Sequence, residues 1–219
     1  MLNIQSTSEN GEGWESLFDG ISRKGWHVYN NKSDGTAWKA VDGTLCLDVS
    51  KKIGRDTVGG GDIVTDNDYD NFHFQLEWKV DHGGNSGIMI YVQELPQYEY
   101  SWHTGPEMQL LDNAAHVDAN IHKHRAGDLY DLIAGRENAE NPAGKWNKVD
   151  IIANKGMLEF RLNNNSIIQT TLWDDNWKRL IEGSKFAKWP DFGTFKTGKI
   201  ALQDHGDPVW FRNIRIRRL

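Results

Sequence analysis

The segment from Phe72 to Val80 reads FHFQLEWKV and alternates apolar with polar residues over its whole length. Successive side chains of an extended strand lie on opposite faces, so this pattern predicts a β-strand with one buried and one exposed face. Short apolar segments recur along the chain between turn signals, and they predict an all-β chain folded as a β-sandwich. The other strand candidates are residues 88–92, 107–111, 128–133, 146–153, 157–162, 166–172 and 198–206.

One segment departs from the β pattern. Apolar residues recur there at helical spacing, at Trp173, Trp177, Leu180 and Ile181. Residues 173–189 are therefore predicted to form one short helix packed against the β structure. The chain shows no repeat or linker, so residues 14–219 are predicted to form a single domain, preceded by a polar, disordered lead-in over residues 1–13.

The 10 tryptophans and the net charge of −6 limit the classes of molecule that the protein is expected to bind. A negatively charged chain is a poor partner for nucleic acid, whose phosphates require a basic face. The composition also argues against a membrane span. Tryptophan in this number suits flat apolar surfaces that contact sugar rings, with the indole N–H as a polar handle. The single Cys46 excludes an internal disulfide and a cysteine-based zinc site.

Two of the predicted strands carry polar side chains on a single face. In the strand that begins at Glu107, the side chains of Glu107 and Gln109 share one face, and the residues between and after them are apolar. Gln203 and His205 share a face at the end of residues 198–206 in the same way. Because both strands have this pattern, we predict that their polar faces form one common surface.

Glu107 is the first candidate for a proton-transferring group, because a carboxyl group on a partly dry sheet has its pKa raised toward the working pH. The alternative is a salt bridge to a nearby Arg or Lys. Asp112 has the opposite parity, so a regular strand turns it away from Glu107, and it is kept as a peripheral substrate-binding candidate. This parity argues against a pair of glycosidase carboxylates at these two positions.

His205 is the second candidate for proton transfer. It lies between Asp204 and Asp207, either of which could hold one tautomer of its ring. A structural hydrogen bond is the alternative. Tyr130 could donate to a ligand or simply pack. His116, His122 and His124 suggest a metal site, but their segment is polar and irregular, so a solvated loop with no metal ligands is the prediction.

Several short motifs occur together in a fixed order and resemble the 3-keto-disaccharide hydrolase domain family. The resemblance runs from about Trp14 to the C-terminus. Its motifs are GGDIVT at 60–65, YDNF at 69–72, GGNSG at 83–87, GPEMQLLD at 105–112, PAGKWN at 142–147, IALQDHG at 200–206 and VWFRNI at 209–214.

The resemblance implies a concanavalin-like jelly-roll sandwich that acts on a saccharide. It also implies a periplasmic or secreted protein. Residues 1–13 lack the apolar run of a signal peptide, so the residues alone indicate either a cytoplasmic protein or one whose signal has been removed. The polar motif positions of the family correspond here to Asn85, Glu107, Gln109, Gln203 and His205, with Glu107 and His205 as the catalytic candidates.

A 3-keto-glycoside can be cleaved by elimination. The C3 ketone acidifies the proton on C2, so Glu107 or His205 could remove it, and amide donors or a divalent cation could stabilise the resulting enolate. Loss of the C1 substituent and addition of water would complete a net hydrolysis. The alternative from another class is a non-catalytic carbohydrate-binding module that uses the same surface and exposed tryptophans.

Overall fold

The structure is a computed structural model that describes residues 13–53 and 56–219. The predicted lead-in over residues 1–13 lies outside the described residues except for its last glycine. The strands are β1 (Trp14–Ser16), β2 (Trp26–Val28), β3 (Trp38–Val41), β4 (Thr44–Leu47), β5 (Lys52–Ile53), β6 (Asp56–Thr57), β7 (Ile63–Thr65), β8 (Phe72–Val80), β9 (Asn85–Val92), β10 (Glu107–Leu111), β11 (Asn147–Asn154), β12 (Met157–Leu162), β13 (Asn165–Thr171), β14 (Lys199–Leu202) and β15 (Val209–Arg218).

Two antiparallel sheets account for most of these strands. The larger sheet has the order β13-β12-β11-β8-β15-β4-β3, with β1 paired to β15, and the smaller sheet has the order β10-β9-β14-β7-β2. Strands β5 and β6 form a separate two-stranded ribbon. One buried apolar cluster contains Phe74 and Trp78 from β8 together with Ile88 and Met108 from the smaller sheet. The sheets therefore enclose a shared core, and the fold is a concanavalin-like jelly-roll β-sandwich.

The smaller sheet is covered on both faces. Its inward face contributes Ile88 and Met108 to the shared core, whereas Val64, Met89 and Ala201 belong to a second apolar cluster. Those three residues lie side by side in the antiparallel register of β7, β9 and β14. Because side chains alternate along a strand, the second cluster lies on the outward face of the sheet. That face is packed against loops rather than open to water.

The covering of the outward face changes the expected character of β10. The alternation of Glu107 and Gln109 with apolar residues predicts a strand with a solvent-exposed polar face. All five residues of β10 are buried instead. Glu107 lies opposite Met89 in the register, so its side chain shares the outward face with the second apolar cluster.

Local backbone geometry changes two of the predicted strands. Strand β9 begins at Asn85, inside the predicted glycine loop, because residues 85–89 pair with β10. Residues 128–133 form isolated bridges through Leu129 rather than a strand, and Asp131 there has φ 60°. This positive φ turns the backbone out of the extended conformation.

The observed helix is shorter than the one predicted over residues 173–189. It consists of α1 (Asp175–Glu182) and a 3₁₀ turn (Lys185–Lys188). Trp173 has φ 67°, which a helix cannot contain, and Gly183 follows the last helical residue. Among the described residues, no helix is both long enough and apolar enough to span a membrane.

We predict that Asp174→Ala lowers the free energy of unfolding by about 1 kcal/mol. The Asp174 carboxylate accepts a hydrogen bond from the Trp177 N–H at 2.7 Å and so caps the first turn of α1. Urea denaturation followed by circular dichroism measures this difference.

Asp175→Ala is the matched control. Asp175 is the first residue of α1 and forms an exposed ion pair with Lys178 at 3.2 Å, which is worth little in water. Equal losses in the two variants would show that the Asp174 cap has no special contribution.

Candidate active site

A cavity of about 250 Å³ lies on the outward face of the smaller sheet. This volume is near the lower end of the range for small-molecule sites, which begins at about 300 Å³. Six residues predicted from the sequence line it, namely Asn85, Glu107, Gln109, Tyr130, Gln203 and His205. The prediction of a common polar surface agrees with this placement, and the catalytic and binding roles of these residues stay predictions.

Six further residues line the cavity without having been anticipated. They are Trp102, Asp118, Lys185, Phe186, Lys188 and Trp189. All of them lie on 3₁₀ turns or directly after one, outside the two strands that carry the polar pattern. The surplus of tryptophan indicated an aromatic wall in general terms, but no sequence signal distinguished Lys185 or Asp118 from solvated surface residues.

The position of Glu107 depends on a glycine in the neighbouring strand. Gly87 in β9 lies opposite Gln109 in the register, and a Cβ atom at Gly87 would overlap the carboxyl group of Glu107, two residues before Gln109. With its amide turned toward the surrounding acceptors, Gln109 donates through Nε2 to the Ser86 carbonyl at 3.1 Å and to Glu107 Oε1 at 3.2 Å. The carboxyl group therefore lies over the Gly87 backbone and is held by Gln109.

Burial dominates the electrostatics of Glu107. The residue is 5% exposed, and the loss of hydration raises the pKa of its carboxyl group to about 8. The nearby charges of Asp62 and Asp118 raise this pKa further, whereas the ammonium group of Lys185 lowers it. The pKa of Glu107 thus lies closer to neutral pH than that of an ordinary carboxyl group, so Glu107 can both accept and give up a proton near the working pH.

Lys185 and Tyr130 form the wall next to Glu107. Lys185 Nζ lies 4.0 Å from the centroid of the Tyr130 ring. Lys185 is exposed as a residue, but the lost hydration at its ammonium group lowers its pKa. Its backbone N–H donates to Asp131 Oδ2 at 2.7 Å, which ties the 3₁₀ turn to the segment that carries Tyr130. Burial raises the pKa of the Tyr130 hydroxyl, so this group stays a neutral donor.

His205 lies at the open side of the cavity, with 46% of its side chain exposed. Its Nδ1 is 3.6 Å from Asp207 Oδ2. Asp204 does not orient the ring, because its carboxylate accepts hydrogen bonds from the Gly61 N–H at 2.8 Å and from the Thr57 hydroxyl at 3.0 Å. Of the two carboxylates expected beside His205, only Asp207 is close to it.

Two amide side chains of the cavity have unused hydrogen-bonding capacity. Asn85 Oδ1 and Gln203 Oε1 are buried and have no hydrogen-bond partner among the described residues. Asn85 is only 2% exposed. Buried polar atoms are nearly always paired, so these two atoms indicate that a ligand completes the site. Because an amide can rotate, each side chain can present either an N–H or a carbonyl oxygen to that ligand.

Asp112 does not line the cavity, and this corrects its assignment as a substrate-binding residue. Its carboxylate accepts hydrogen bonds from the Gly83 N–H at 2.8 Å and the Ala114 N–H at 3.1 Å. The parity of the strand turns Asp112 away from Glu107, and backbone donors in the adjacent turns occupy both of its oxygens.

The three histidines near residue 120 are not all solvated, contrary to the sequence prediction. His124 is buried and its Nε2 lies 2.9 Å from Asp131 Oδ1, whereas His122 is exposed. The ring centroid of His116 lies 6.0 Å from that of His205. His116, His205 and Asp207 offer ligand atoms within 4.8 Å of one another, a grouping that could hold a metal ion.

Comparison with known proteins gives a consistent result for the whole sandwich. The sequence signature described as the 3-keto-alpha-glucoside-1,2-lyase-like domain matches residues 13–217. A Bacteroides thetaiotaomicron protein named 3-keto-disaccharide hydrolase is 34% identical over 229 residues, covering 95% of this chain and 79% of the relative.

Solved structures agree with this match. A Parabacteroides distasonis protein described as a candidate glycosyl hydrolase is 32% identical, with a TM-score of 0.86 and 99% of each chain covered. A second protein from that organism with the same description is 25% identical, with a TM-score of 0.65, and covers 95% of this chain and 84% of its own. The family resemblance and the fold class inferred from the sequence are thus confirmed.

We predict that Glu107→Gln stabilises the protein at pH 8.5 and leaves its stability unchanged at pH 4. Folding raises the pKa of Glu107 from an ordinary carboxyl value to about 8, so the folded state retains a proton that the unfolded state releases. Stability is therefore greatest below the ordinary carboxyl pKa and is lost as the pH rises through about 8. The variant avoids this loss, which is on the order of a few kcal/mol.

Thermal unfolding of both proteins in a chelator-containing buffer at the two pH values measures the effect. Glu159→Gln serves as the control, because Arg161 hydrogen-bonds the Glu159 carboxylate and lowers its pKa. A Glu107→Gln variant that loses stability at pH 8.5 would instead place Glu107 in a stabilising ion pair.

Proposed function

This chain belongs to the 3-keto-alpha-glucoside-1,2-lyase-like domain family, and on this premise we propose that it cleaves the glycosidic bonds of 3-keto-disaccharides or related 3-keto-glycosides. The related proteins named for hydrolysis of 3-keto-disaccharides and glycosides support a carbohydrate hydrolase in general. The observation that carries the specific proposal is a buried carboxyl group, Glu107, with a pKa near neutrality inside a polar cavity.

The chemistry of a 3-keto-glycoside matches such a group. The proton on C2 is acidic because it is next to the C3 ketone, and its removal leaves an enolate. The electron pair then forms the C1–C2 double bond while the C1–oxygen bond breaks, and the leaving oxygen takes up a proton. Water adds across the new double bond to give a free 3-keto sugar. The sum of these steps is hydrolysis by elimination and hydration.

We assign removal of the C2 proton to Glu107. A base acts best when its pKa lies near the working pH, and burial raises the pKa of Glu107 to about 8. The amide oxygens of Asn85 and Gln203, which are unpaired among the described residues, can accept hydrogen bonds from sugar hydroxyls. If an amide is rotated, its N–H group can donate to the C3 oxygen instead. His205 can assist in two ways, either by giving a proton to the leaving oxygen or by holding a cation near the ketone.

Direct hydrolysis by two carboxylates is less well supported. That mechanism requires a nucleophile or base and an acid on opposite sides of one bond. Asp112 lies outside the cavity, so Asp118 is the one other residue with a carboxyl group among the described residues that line the cavity with Glu107. Asp118 lies on a 3₁₀ turn rather than on the sheet, whereas elimination requires no second carboxyl group.

A non-catalytic carbohydrate-binding module is the second candidate function. The indole rings of Trp102 and Trp189 line the cavity and contact each other edge to face with centroids 4.8 Å apart. Such rings form suitable surfaces for sugars. A binding module does not require the raised pKa of Glu107, so turnover separates the two functions.

We predict that the wild-type protein cleaves a 3-keto-disaccharide and not its unoxidised parent, and that Glu107→Gln lowers kcat by about 10²-fold to 10⁴-fold. The amide preserves the shape of the side chain but cannot accept the proton. Release of monosaccharide by chromatography measures both reactions, with Glu159→Gln as the remote control.

The substrates distinguish the alternatives. Cleavage of the unoxidised parent alone would favour ordinary glycoside hydrolysis. Binding of both sugars without turnover of either would favour the carbohydrate-binding module.

We further predict that kcat/KM rises with pH to a plateau above about pH 8, because the ionised form of Glu107 is the base. Lys185→Met should move this rise to higher pH, since the Lys185 ammonium group lowers the pKa of Glu107. Lys188→Met is the matched control, because Lys188 lines the same cavity and packs on Trp189 instead. A rate that falls through the same pH range would make Glu107 the acid.

A further inference from the structure

We propose that His116, His205 and Asp207 bind a divalent first-row transition-metal ion at the open side of the cavity. The ligand atoms of these three residues lie within 4.8 Å of one another. His116 precedes the 3₁₀ turn Val117–Asn120, whereas His205 and Asp207 follow β14. Folding thus brings two imidazoles and one carboxylate together from distant segments, which the sequence pattern alone did not indicate.

The spacing of His205 and Asp207 fits shared ligation better than a direct hydrogen bond. His205 Nδ1 and Asp207 Oδ2 are 3.6 Å apart, beyond the usual hydrogen-bond range. Two ligands at about 2.0–2.1 Å from a tetrahedral metal ion lie about 3.3 Å apart. A small inward movement of either side chain therefore brings both atoms to coordination distance.

His116 has two ring nitrogens that can bind an ion, and one of them already has a hydrogen-bond partner. Its Nδ1 accepts a hydrogen bond from the Asp118 N–H at 3.1 Å, which caps the 3₁₀ turn. A metal ion requires an unprotonated ring nitrogen, so coordination through Nδ1 replaces this long hydrogen bond with a stronger interaction. The His116 and His205 rings are inclined at 77° with their centroids 6.0 Å apart, so they do not stack on each other.

The surroundings of the three residues independently indicate a missing ligand. Asn85 Oδ1, 2% exposed as a residue, and Gln203 Oε1 are buried in the same cavity without a hydrogen-bond partner among the described residues. The backbone N–H of Asn85 is close enough to the Asp207 carboxylate to interact with it, which places the Asn85 residue next to the proposed ligands. A metal ion with its bound water or substrate would supply partners for these amide groups.

The ligand set restricts the class of metal. Two imidazoles and one carboxylate favour ions such as Zn²⁺, Mn²⁺, Fe²⁺ or Co²⁺, whereas Ca²⁺ and Mg²⁺ prefer oxygen ligands. Three protein ligands leave at least one position open, as in catalytic rather than structural sites. In the proposed function, the open position would accept the C3 oxygen while Glu107 removes the C2 proton. This catalytic role rests on the proposed function, whereas metal binding itself does not.

The test begins with metal binding rather than activity. Tag-free protein is treated with a chelator, dialysed and titrated with Zn²⁺ by calorimetry and with Co²⁺ by visible absorption. We expect one ion per chain and the absorption of a protein-bound Co²⁺ ion. His116→Ala and Asp207→Asn should each weaken binding by at least about 10-fold to 100-fold.

His122→Ala is the matched control, because His122 belongs to the same segment as His116 but is exposed and outside the group of three. It should bind the metal ion like the wild type. Equal affinity in His116→Ala, Asp207→Asn and wild type, or no binding by the wild type, would overturn the proposal. Unchanged turnover of a 3-keto-disaccharide after metal removal would overturn only the catalytic role of the ion, and it would leave the proposed function intact.

Discussion

The site depends on the burial of one carboxyl group on the outward face of a sheet. A charged Glu107 loses its hydration there, and this loss is the main cause of its raised pKa. The strand tolerates the group because Gly87 leaves space for it and Gln109 donates to it. A substitution that adds volume at Gly87 would therefore displace the Glu107 carboxyl group before it affected the core of the sandwich.

The same burial explains why loops complete the cavity. A sheet alone would leave the polar face of β10 in water, where Glu107 would have an ordinary pKa. The 3₁₀ turns that carry Trp102, Asp118 and Lys185 cover this face and supply both aromatic surface and charge. Lys185 lowers the pKa of Glu107 while Asp118 raises it, so the turns adjust the group that the sheet positions. Precise placement thus comes from strands, and electrostatic tuning comes from loops.

The proposed elimination requires chemical groups on two sides of the cavity. The base must reach C2, and the developing charge appears on the oxygen of C3, so the stabilising group belongs beside the base rather than opposite a scissile bond. Glu107 on β10 and the group of His116, His205 and Asp207 beyond β14 offer such an arrangement. The substrate of the proposed reaction already carries the ketone, so an oxidation at C3 has to precede that reaction.

Alternation along the strands was enough to predict the sandwich and the common surface of Glu107, Gln109 and Gln203, because side-chain direction in a strand follows from sequence position. Tertiary structure decided the rest. It buried Glu107 and thereby raised its pKa, and it brought Lys185 to the cavity and His116 close to His205 from segments without an alternating pattern. Desolvation and contacts between distant segments depend on what covers a strand, and local periodicity contains no information about that cover.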